Sequence, residues 1–307
     1  MVPFLVLLSA LAAAFFILLY LLYRAAFGRS ARRESAEDHI PSQEGYQRWK
    51  EPILANIHRI QAEVWEKVSI TARDGTHLAG RLSPGGDGAP VVLAFHGYRS
   101  NALRDASGGY WYFRERGFRV LLVDQRAHGA SGGHAITFGV KERYDCLDWI
   151  GYAQRRFGPE TPLLLMGVSM GAATVLMASG LNLPPAVRGV IADSSYTSPA
   201  AILRKVLEKD LHLPLYPLVR LSARIFGGFD PEAVCAAQGA SRAQVPLLLI
   251  HGDDDHFVPC SMSREIHTAA PGSTLVVVPG ADHGMSFYEN NAAYTAAADR
   301  LLRQVGL

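Results

Sequence analysis

Three side chains whose types together suit the breaking of an acyl bond occur in the order Ser169, Asp255 and His283 along this chain of 307 residues. A serine hydroxyl is a weak nucleophile until a histidine takes its proton, and a carboxylate that holds the histidine in the right tautomer completes the set. Each of the three stands in a glycine-containing segment that follows a short apolar run. The pattern predicts a site assembled from loops, provided that the elements before them bring those loops together.

Ser169 has the most specific surroundings of the three. It is the middle residue of the pentapeptide GVSMG, residues 167–171, which lies between the apolar run 163–166 and an alanine-rich, helix-compatible stretch. A strand, a sharp turn and a helix in this order are expected of a nucleophile elbow. Glycine before and after the turn suits it because neighbouring backbone passes within contact distance there. We therefore expect Ser169 at the tip of the turn.

The base and the acid are chosen from larger sets. His283, in the segment GADHGMS, follows the strand-like run 275–278 and is the best placed of the eleven histidines. Asp253, Asp254 and Asp255 are consecutive, and neither their spacing nor a second ligand cluster supports a metal site. They are interpreted as a solvated acidic turn, one of whose carboxylates can orient the histidine.

Two backbone N–H groups are candidates for stabilising the oxyanion that forms when a carbonyl carbon is attacked. The segment HGYRSN follows the apolar run 91–95, and the N–H of Tyr98 together with that of Met170 would supply the pair of donors. An ordinary glycine turn is the alternative interpretation. His96 is expected to brace the loop by hydrogen bonds rather than to act as an acid or a base.

A second polar segment, DQRAHGASGG, follows the apolar run 120–123 and contains Asp124 and His128. These side chains invite a catalytic interpretation. A loop that contains Asp, Arg, His and Ser close together can also form hydrogen bonds from these side chains to its own backbone N–H and C=O groups. We expect the structural role for both residues.

The elements that must position these loops are short apolar runs that alternate with longer helix-compatible stretches. Such alternation predicts βαβ units and a largely parallel sheet with helices on both faces, preceded by a hairpin that turns at Asp74-Gly75. Functional residues should then follow the carboxyl ends of strands, where the candidates do lie. The apolar runs are 91–95, 120–123, 163–166, 187–192, 247–250 and 275–278.

Composition narrows the class of protein further. Apolar residues make up 49% of the chain and charged residues 19%, which is ample for a packed core. Thirty basic against 28 acidic residues give a net charge of +2, too balanced to suggest a nucleic-acid partner. Cys146, Cys235 and Cys260 are widely spaced without a C-x-x-C pair, so we expect free thiols and neither a disulfide framework nor a zinc site.

The N-terminus predicts a membrane anchor. Residues 4–23 carry no charge and are long enough for a helix to cross the roughly 30 Å hydrocarbon layer. A cleaved signal peptide is the rival interpretation, but it would need a basic start and a shorter apolar region. Arginines follow the span and none precedes it, so the positive-inside rule places the rest of a single-pass protein in the cytoplasm.

The chain is thereby divided into three parts. Residues 1–28 are expected to form the transmembrane anchor, residues 29–63 a juxtamembrane linker with a lead-in helix and no catalytic role, and residues 64–307 the folded domain. An insertion at about 194–243, broken by Pro and Gly, is expected to form either a small helical cap over Ser169 or ordinary core packing.

The motifs FHGYRSN, VDQRAHGASGG, GVSMG, HGDDDHFVP and GADHGMS resemble those of bacterial α/β-hydrolases related to the serine-aminopeptidase-like and BEM46-like families. The resemblance covers residues 64–303 and implies the α/β-hydrolase fold, a mostly parallel central sheet flanked by helices, with no cofactor. The family pattern D-x-x-V-P carries the acid, which maps onto Asp255. The nucleophile maps to Ser169, the base to His283, and the oxyanion donors to Tyr98 and Met170. The segment departs from the lipase HGGG pattern after its first glycine.

The resemblance implies acyl transfer through an acyl-enzyme, and a serine at the elbow argues against dehalogenase or epoxide hydrolase chemistry. An esterase or lipase-like hydrolase of small acyl substrates is our first hypothesis, and the anchor makes lipid-derived substrates suitable. A serine aminopeptidase-like peptidase is the second; it would need an acidic pocket, for which Glu208 and Glu232 are the candidates. A non-catalytic, membrane-tethered binding protein is the third. The sequence does not indicate an oligomeric state.

Overall fold

The computed structural model describes residues 2–29 and 37–307. Its centre is an eight-stranded sheet with the strand order β1-β2-β4-β3-β5-β6-β7-β8. Strand β2 is antiparallel to β1 and to β4, whereas β3 to β8 are mutually parallel. The α/β fold predicted from the alternating runs is confirmed. The strands are β1 (Glu66–Thr71), β2 (His77–Leu82), β3 (Val91–Phe95), β4 (Arg119–Val123), β5 (Leu163–Val168), β6 (Val187–Asp193), β7 (Leu247–Gly252) and β8 (Thr274–Val278).

Both faces of the sheet are buried. In β5, Leu163 and Leu165 belong to one apolar cluster, whereas Leu164 and Met166 belong to the other. Successive side chains of a strand point to opposite faces, so a strand covered on both sides must be apolar throughout. Full burial of each leucine side chain stabilises the folded state by about 1.5–3 kcal/mol. This is why the central strands read as continuous apolar runs.

Helices cover the two faces and form the insertion between β6 and β7. Two stretches of the insertion, Lys205–Asp210 and Ala223–Gly227, are π-helical, which the sequence did not lead us to expect. The α-helices are α1 (Val2–Phe27), α2 (Glu44–Arg48), α3 (Lys50–Gln61), α4 (Ala102–Ala106), α5 (Tyr110–Arg114), α6 (Glu142–Phe157), α7 (Met170–Ser179), α8 (Pro199–Arg204), α9 (Tyr216–Ser222), α10 (Ala236–Ser241), α11 (Cys260–Ala269), α12 (Ser286–Glu289) and α13 (Asn291–Gln304).

Helix α1 is long and apolar enough to cross a membrane, a property that a signal sequence near the N-terminus shares. Residues 2–18 are exposed, but Leu19, Tyr23 and Phe27 are buried, and their spacing of four places them on one helix face. The Phe27 ring packs edge-on against the rings of Phe138 and Phe229, with centroids 5.9 and 5.1 Å away. The last two turns of α1 are therefore part of the folded body.

Hydrogen bonds also hold the end of α1 in place. The last carbonyl oxygens of a helix lack partners within it, and here those of Ala25 and Ala26 accept from the Arg99 guanidinium at 2.7 Å and from the Tyr98 hydroxyl at 2.9 Å. The Arg29 guanidinium donates to the carbonyl oxygens of Gly129 and Ser131, both at 2.7 Å. The helix thus ends against the loops that follow β3 and β4.

Candidate active site

Ser169 occupies a strained turn between β5 and α7. Its backbone angles are φ 55° and ψ −114°, and a positive φ in a residue other than glycine costs about 1–3 kcal/mol. The turn leaves no room beside it: a Cβ added to Gly167 would come within 2.2 Å of the Gly171 carbonyl oxygen, and one added to Gly171 within 1.9 Å of the Phe95 carbonyl oxygen. The Ser169 N–H donates to the Asp193 carbonyl oxygen at 2.8 Å. This is the geometry expected of the elbow.

Asp255 lies in the loop after β7, and its side chain is fully buried. Each of its two carboxylate oxygens faces two hydrogen-bond donors. Its Oδ2 lies 2.7 Å from His283 Nδ1 and 3.1 Å from His251 Nε2. Its Oδ1 accepts the backbone N–H groups of Phe257 at 2.9 Å and Val258 at 2.7 Å. Burial alone would raise the pKa of Asp255, but the charges and hydrogen bonds of His283 and His251 hold it well below its usual range.

His251 is a site residue that the sequence analysis missed. Its Nε2 faces two acceptors, the Asp255 carboxylate and the Val258 carbonyl oxygen at 2.8 Å, so Nε2 carries the hydrogen. Its Nδ1 then accepts from the Ser263 hydroxyl at 2.6 Å. His251 thereby fixes the carboxylate that orients His283. It is the first residue of the motif HGDDDHFVP, and only that position beside the acid could have suggested the role.

His283 is the histidine that the carboxylate orients. Because its Nδ1 is engaged by Asp255, its Nε2 is the atom left to accept a proton. Burial lowers the pKa of His283, but the charge and hydrogen bond of Asp255, with smaller contributions from Asp193 and Asp105, outweigh burial and raise it. His283 and Ser169 line the same cavity. The structure therefore brings the three sequence-predicted residues to one place.

The loop after β3 lies directly against Ser169. A Cβ added to Gly97 would be 3.3 Å from the Ser169 Cβ, so the neighbouring Tyr98 is close to the elbow, and Met170 is the first residue of α7. The Gly97 N–H donates to Asp105 Oδ2 at 2.6 Å. Asp105, which the sequence analysis did not single out, thus fixes the segment that would present one oxyanion donor.

Two buried histidines brace this loop, as expected. His96 Nε2 accepts from the Gln125 N–H at 3.1 Å, which leaves its Nδ1 to donate to the Gly97 carbonyl oxygen at 2.8 Å. His128 Nε2 accepts from the Arg99 N–H at 3.0 Å. Burial lowers the pKa of both histidines, which keeps them neutral and suited to these bonds. Asp124 likewise accepts a backbone N–H of its own loop, that of Ala130, at 2.9 Å.

Asp193, at the end of β6, is a further buried carboxyl that the sequence analysis missed. Burial raises its pKa to about 6, and its Oδ1 accepts from the hydroxyl groups of Ser194 at 3.0 Å and Ser286 at 3.3 Å. The carbonyl oxygen of the same residue holds the Ser169 N–H. Asp193 therefore links the elbow to the loop that carries His283. In the sequence, only its position at the end of an apolar run could have suggested this role.

A cavity of about 420 Å³ lies in front of Ser169 and His283. One wall comes from the lead-in segment, for which no role in the site was expected. Gly45 in that segment packs so closely that an added Cβ would lie 2.5 Å from Asp282 Oδ2. The lining residues are His39, Pro41, Gln43, Tyr46, Gly97, Tyr98, Arg99, Ser100, Arg104, Asp105, Val168, Ser169, His256, Phe257, Asp282 and His283.

The insertion at 194–243 contributes none of these lining residues, although it reaches the rim of the cavity. Lys205 donates to the His256 carbonyl oxygen at 2.8 Å, and its Nζ lies 5.7 Å from the centre of the Phe257 ring. Of the two interpretations of the insertion, a cap over Ser169 or core packing, neither is decided by these contacts, and one wall of the cavity comes from residues 39–46.

The His, Cys, Asp and Glu side chains of the described residues do not cluster into a metal site. Among residues 2–29 and 37–307, no group of three or more His, Cys, Asp and Glu side chains is arranged to hold a metal ion. Within the acidic turn, Asp253 accepts the Gly280 N–H at 2.7 Å, whereas Asp254 is exposed. Cys146, Cys235 and Cys260 are free thiols, and burial raises the pKa of Cys146.

Two family models match consecutive parts of the chain. One, described as "Serine aminopeptidase, S33", matches residues 87–232, and a second, described as "TAP-like protein", matches residues 230–307. Curated relatives include the uncharacterised protein YqkD of Bacillus subtilis, 25% identical over 233 residues that cover 74% of each chain. A monoacylglycerol lipase of Mycolicibacterium smegmatis is 27% identical over 243 residues, 66% of this chain and 83% of the lipase.

Solved structures share the fold. An esterase of Pyrococcus furiosus superposes with a TM-score of 0.66 at 22% identity, covering 80% of this chain and 93% of the esterase. A protein of Butyrivibrio proteoclasticus, solved with ferulic acid bound, superposes with a TM-score of 0.60 at 20% identity over 78% of this chain and all of that one.

Proposed function

The chain is a hydrolase of the α/β-hydrolase superfamily, and from that premise we propose that it is a membrane-anchored serine hydrolase that cleaves carboxylic ester bonds, or related acyl bonds. One observation carries the proposal. The buried Asp255 carboxylate is hydrogen-bonded to Nδ1 of His283, and His283 lines the same cavity as the strained Ser169. A nucleophile, a base and an orienting acid are thereby together at one opening.

The proposed reaction has two steps. His283 Nε2 takes the hydroxyl proton as Ser169 Oγ attacks the carbonyl carbon, and the N–H groups of Tyr98 and Met170 stabilise the oxyanion. The tetrahedral intermediate collapses to an acyl-enzyme, and the leaving alcohol takes the proton from His283. A water molecule then attacks the acyl-enzyme with its proton going to His283, and collapse releases the acid and restores Ser169.

A peptide with a free amino terminus is the alternative to an ester as the substrate. Such a peptide would need an acidic subsite for its ammonium group. The carboxylates that line the cavity, Asp105 and Asp282, already accept the backbone N–H groups of Gly97 and His283. Glu232 is paired with Arg204 at 2.6 Å in the insertion, outside the cavity. Peptidase activity therefore stays the second candidate, supported by the family model that matches residues 87–232.

The anchor is part of the proposal. Helix α1, within the expected anchor 1–28, has the length and apolar character of a membrane span, and the arginines that follow it in the sequence favour a cytoplasmic catalytic domain. A hydrolase held at a membrane meets lipid-derived esters at high local concentration. We therefore propose small, lipid-derived acyl substrates and no cofactor.

The proposal is tested by labelling the full chain with a fluorophosphonate probe, which reacts with an activated serine. The wild type is expected to be labelled, and Ser169→Ala is expected to lose both the label and at least about 10³-fold in the rate of p-nitrophenyl butyrate hydrolysis. Ser241→Ala serves as the matched control because Ser241 is exposed and bonds only locally, to the Gln238 carbonyl oxygen. Equal labelling of wild type and Ser169→Ala would exclude Ser169 as the nucleophile.

The rate should also depend on pH in a way that reports His283. The base must be neutral, so kcat/KM for a soluble ester is expected to rise with pH through the pKa of His283, which lies above its usual value of 6.5. Asp255 stays ionised across that range because its pKa is held low. The measurement is kcat/KM from about pH 5 to about pH 9 at constant ionic strength. An acid limb with a midpoint at or below 6.5 would contradict the assignment.

A further inference from the structure

The exposed apolar surface of α1 runs up to the folded body. Residues 2–18 are exposed, and exposed apolar side chains continue beyond them at Tyr20 and Leu21. Leu19, however, is already buried against the body. No spacer separates the membrane from the folded protein, and whatever touches α1 at this level lies at the membrane surface.

The insertion is what touches α1 there. Helix α9 packs against α1, and the ring of Phe226 lies 5.4 Å from that of Tyr20 and 5.8 Å from that of Tyr23. Tyrosine is enriched where a spanning helix leaves the hydrocarbon. These two tyrosines, and Phe226 with them, are therefore at the depth of the lipid headgroups.

The exposed apolar side chains of the body are concentrated on the same insertion. In the described part of the chain, seven large apolar residues outside α1 are exposed, and five of them are in the insertion. Single exposed apolar residues need no explanation, but five of them within residues 211–226, on a segment that packs against α1, indicate a lipid contact. We call this group the cap face; it consists of Leu211, Leu213, Leu221, Ile225 and Phe226.

Charge does not compete with this apolar contact. Residues 204–232 hold five Lys and Arg residues and four Asp and Glu residues, a net charge of +1. Three of the cations are paired with carboxylates of the insertion at 2.6 to 2.9 Å: Arg204 with Glu232, Lys205 with Asp210, and Arg220 with Asp230. So small a net charge attracts anionic lipid only weakly. Burial of apolar surface is left as the driving force, so the contact should form on zwitterionic lipid.

The cavity opens beside both α1 and the cap face. Tyr98 and Arg99, which line the cavity, hold the last carbonyl oxygens of α1. On the insertion side, Lys205 contacts Phe257, a residue that is 40% exposed and whose ring packs edge-on against His283 with centroids 5.1 Å apart. The rim of the cavity is therefore joined to the end of α1 on one side and to the insertion on the other.

We propose that the cap face lies in the surface of the bilayer and that the mouth of the cavity is held there, so that acyl substrates enter from lipid. The partner is a zwitterionic phospholipid bilayer. This inference rests on the proposed membrane anchor, and it adds a second membrane contact and a route for the substrate. It does not require that Ser169 be the nucleophile, so its test can be independent of catalysis.

The first test maps lipid contacts on the full, unmodified chain. The protein is reconstituted into phosphatidylcholine vesicles with a trace of phospholipid that carries a diazirine on its acyl chain, and crosslinked peptides are identified by mass spectrometry. Crosslinks are expected in residues 211–226 as well as in α1. None is expected at Val64, an exposed apolar residue that precedes β1 at the opposite, amino edge of the parallel strands.

Crosslinks confined to α1 would overturn the proposal while leaving the anchor in place. The absence of crosslinks from both α1 and residues 211–226 would overturn the proposal together with the anchor. If the unmodified protein forms these crosslinks but has no esterase activity, the proposed reaction is rejected and the proposed membrane contact stands. Added anionic lipid should change the yield by no more than about fivefold, because residues 204–232 carry a net charge of only +1.

The second test compares two substrates. In the double variant Leu213→Asp with Ile225→Asp, the rate on a long-chain ester carried in phosphatidylcholine vesicles should fall at least about tenfold relative to the rate on soluble p-nitrophenyl acetate. Val64→Asp makes the same change at an exposed site on the opposite edge and should leave the ratio of the two rates as in the wild type. An unchanged ratio in the double variant would overturn the proposal.

Discussion

Asp255→Asn is expected to hydrolyse soluble esters about 10³- to 10⁴-fold more slowly than the wild type, measured as kcat. The carboxylate of Asp255 faces donors on both sides, histidine N–H groups on Oδ2 and backbone N–H groups on Oδ1. An asparagine NH2 group would meet a donor whichever way the amide is turned. With the NH2 group on the Oδ2 side, Nδ1 of His283 loses its acceptor, and the tautomer with a free Nε2 is no longer favoured. With the NH2 group on the Oδ1 side, the N–H groups of Phe257 and Val258 lose theirs, and the loop that positions the side chain is displaced.

Asp254→Asn is the matched control. It makes the same change one residue earlier, on an exposed side chain, and should leave kcat within about twofold of the wild type. Thermal unfolding of both variants separates a lost proton acceptor from a lost fold. A similar loss of kcat in both variants would show that the acidic turn acts as a unit and would remove the orienting role from Asp255.

Gly171→Ala is expected to destabilise the domain by about 4 kcal/mol or more, at the upper end of what single substitutions do. The added Cβ would lie 1.9 Å from the Phe95 carbonyl oxygen and 2.5 Å from its carbonyl carbon, and both are backbone atoms of the central strand β3. A flexible side chain could move aside, whereas the backbone of a buried strand cannot do so without breaking its pairing. Urea denaturation, followed by circular dichroism, measures the change.

Gly272→Ala is the comparison for that experiment. No atom lies within 4 Å of the position that its Cβ would take, and its φ is not in the left-handed region. Its free energy of unfolding should stay within about 0.5 kcal/mol of the wild type. If Gly171→Ala has the same free energy of unfolding as Gly272→Ala, helix α7 does not pack against β3 as closely as the structure shows.

The fold class could be predicted from the sequence because the strands are buried on both faces. Such strands are continuous apolar runs, and β3 was predicted at the same bounds that the structure shows. The positions of Ser169, Asp255 and His283 could be predicted because each follows a strand at the carboxyl edge, where loops converge. Their roles stay a proposal that the variants above test.

Contacts between distant segments could not be predicted. Residues 39–46 line the cavity, yet the segment has no apolar periodicity that marks it as a wall, and its packing on Asp282 depends on a glycine at 45. His251 reads as one histidine among eleven until the fold places its Nε2 beside Asp255. For α1, the uninterrupted apolar run indicated a span but not that the spacing of Leu19, Tyr23 and Phe27 matches a groove in the body.

The docking of α1 also sets an order of events during synthesis. Phe27 leaves the ribosome early, but Phe138 and Phe229, against which it packs, follow about 110 and 200 residues later. At roughly 5–20 residues per second, the second delay lasts on the order of 10–40 s. Until Phe229 emerges, the buried face of α1 lacks one of its two aromatic partners. The side of the cavity where Tyr98 and Arg99 hold the end of α1 is therefore completed late, and in the proposed membrane-anchored protein this last step takes place at the bilayer.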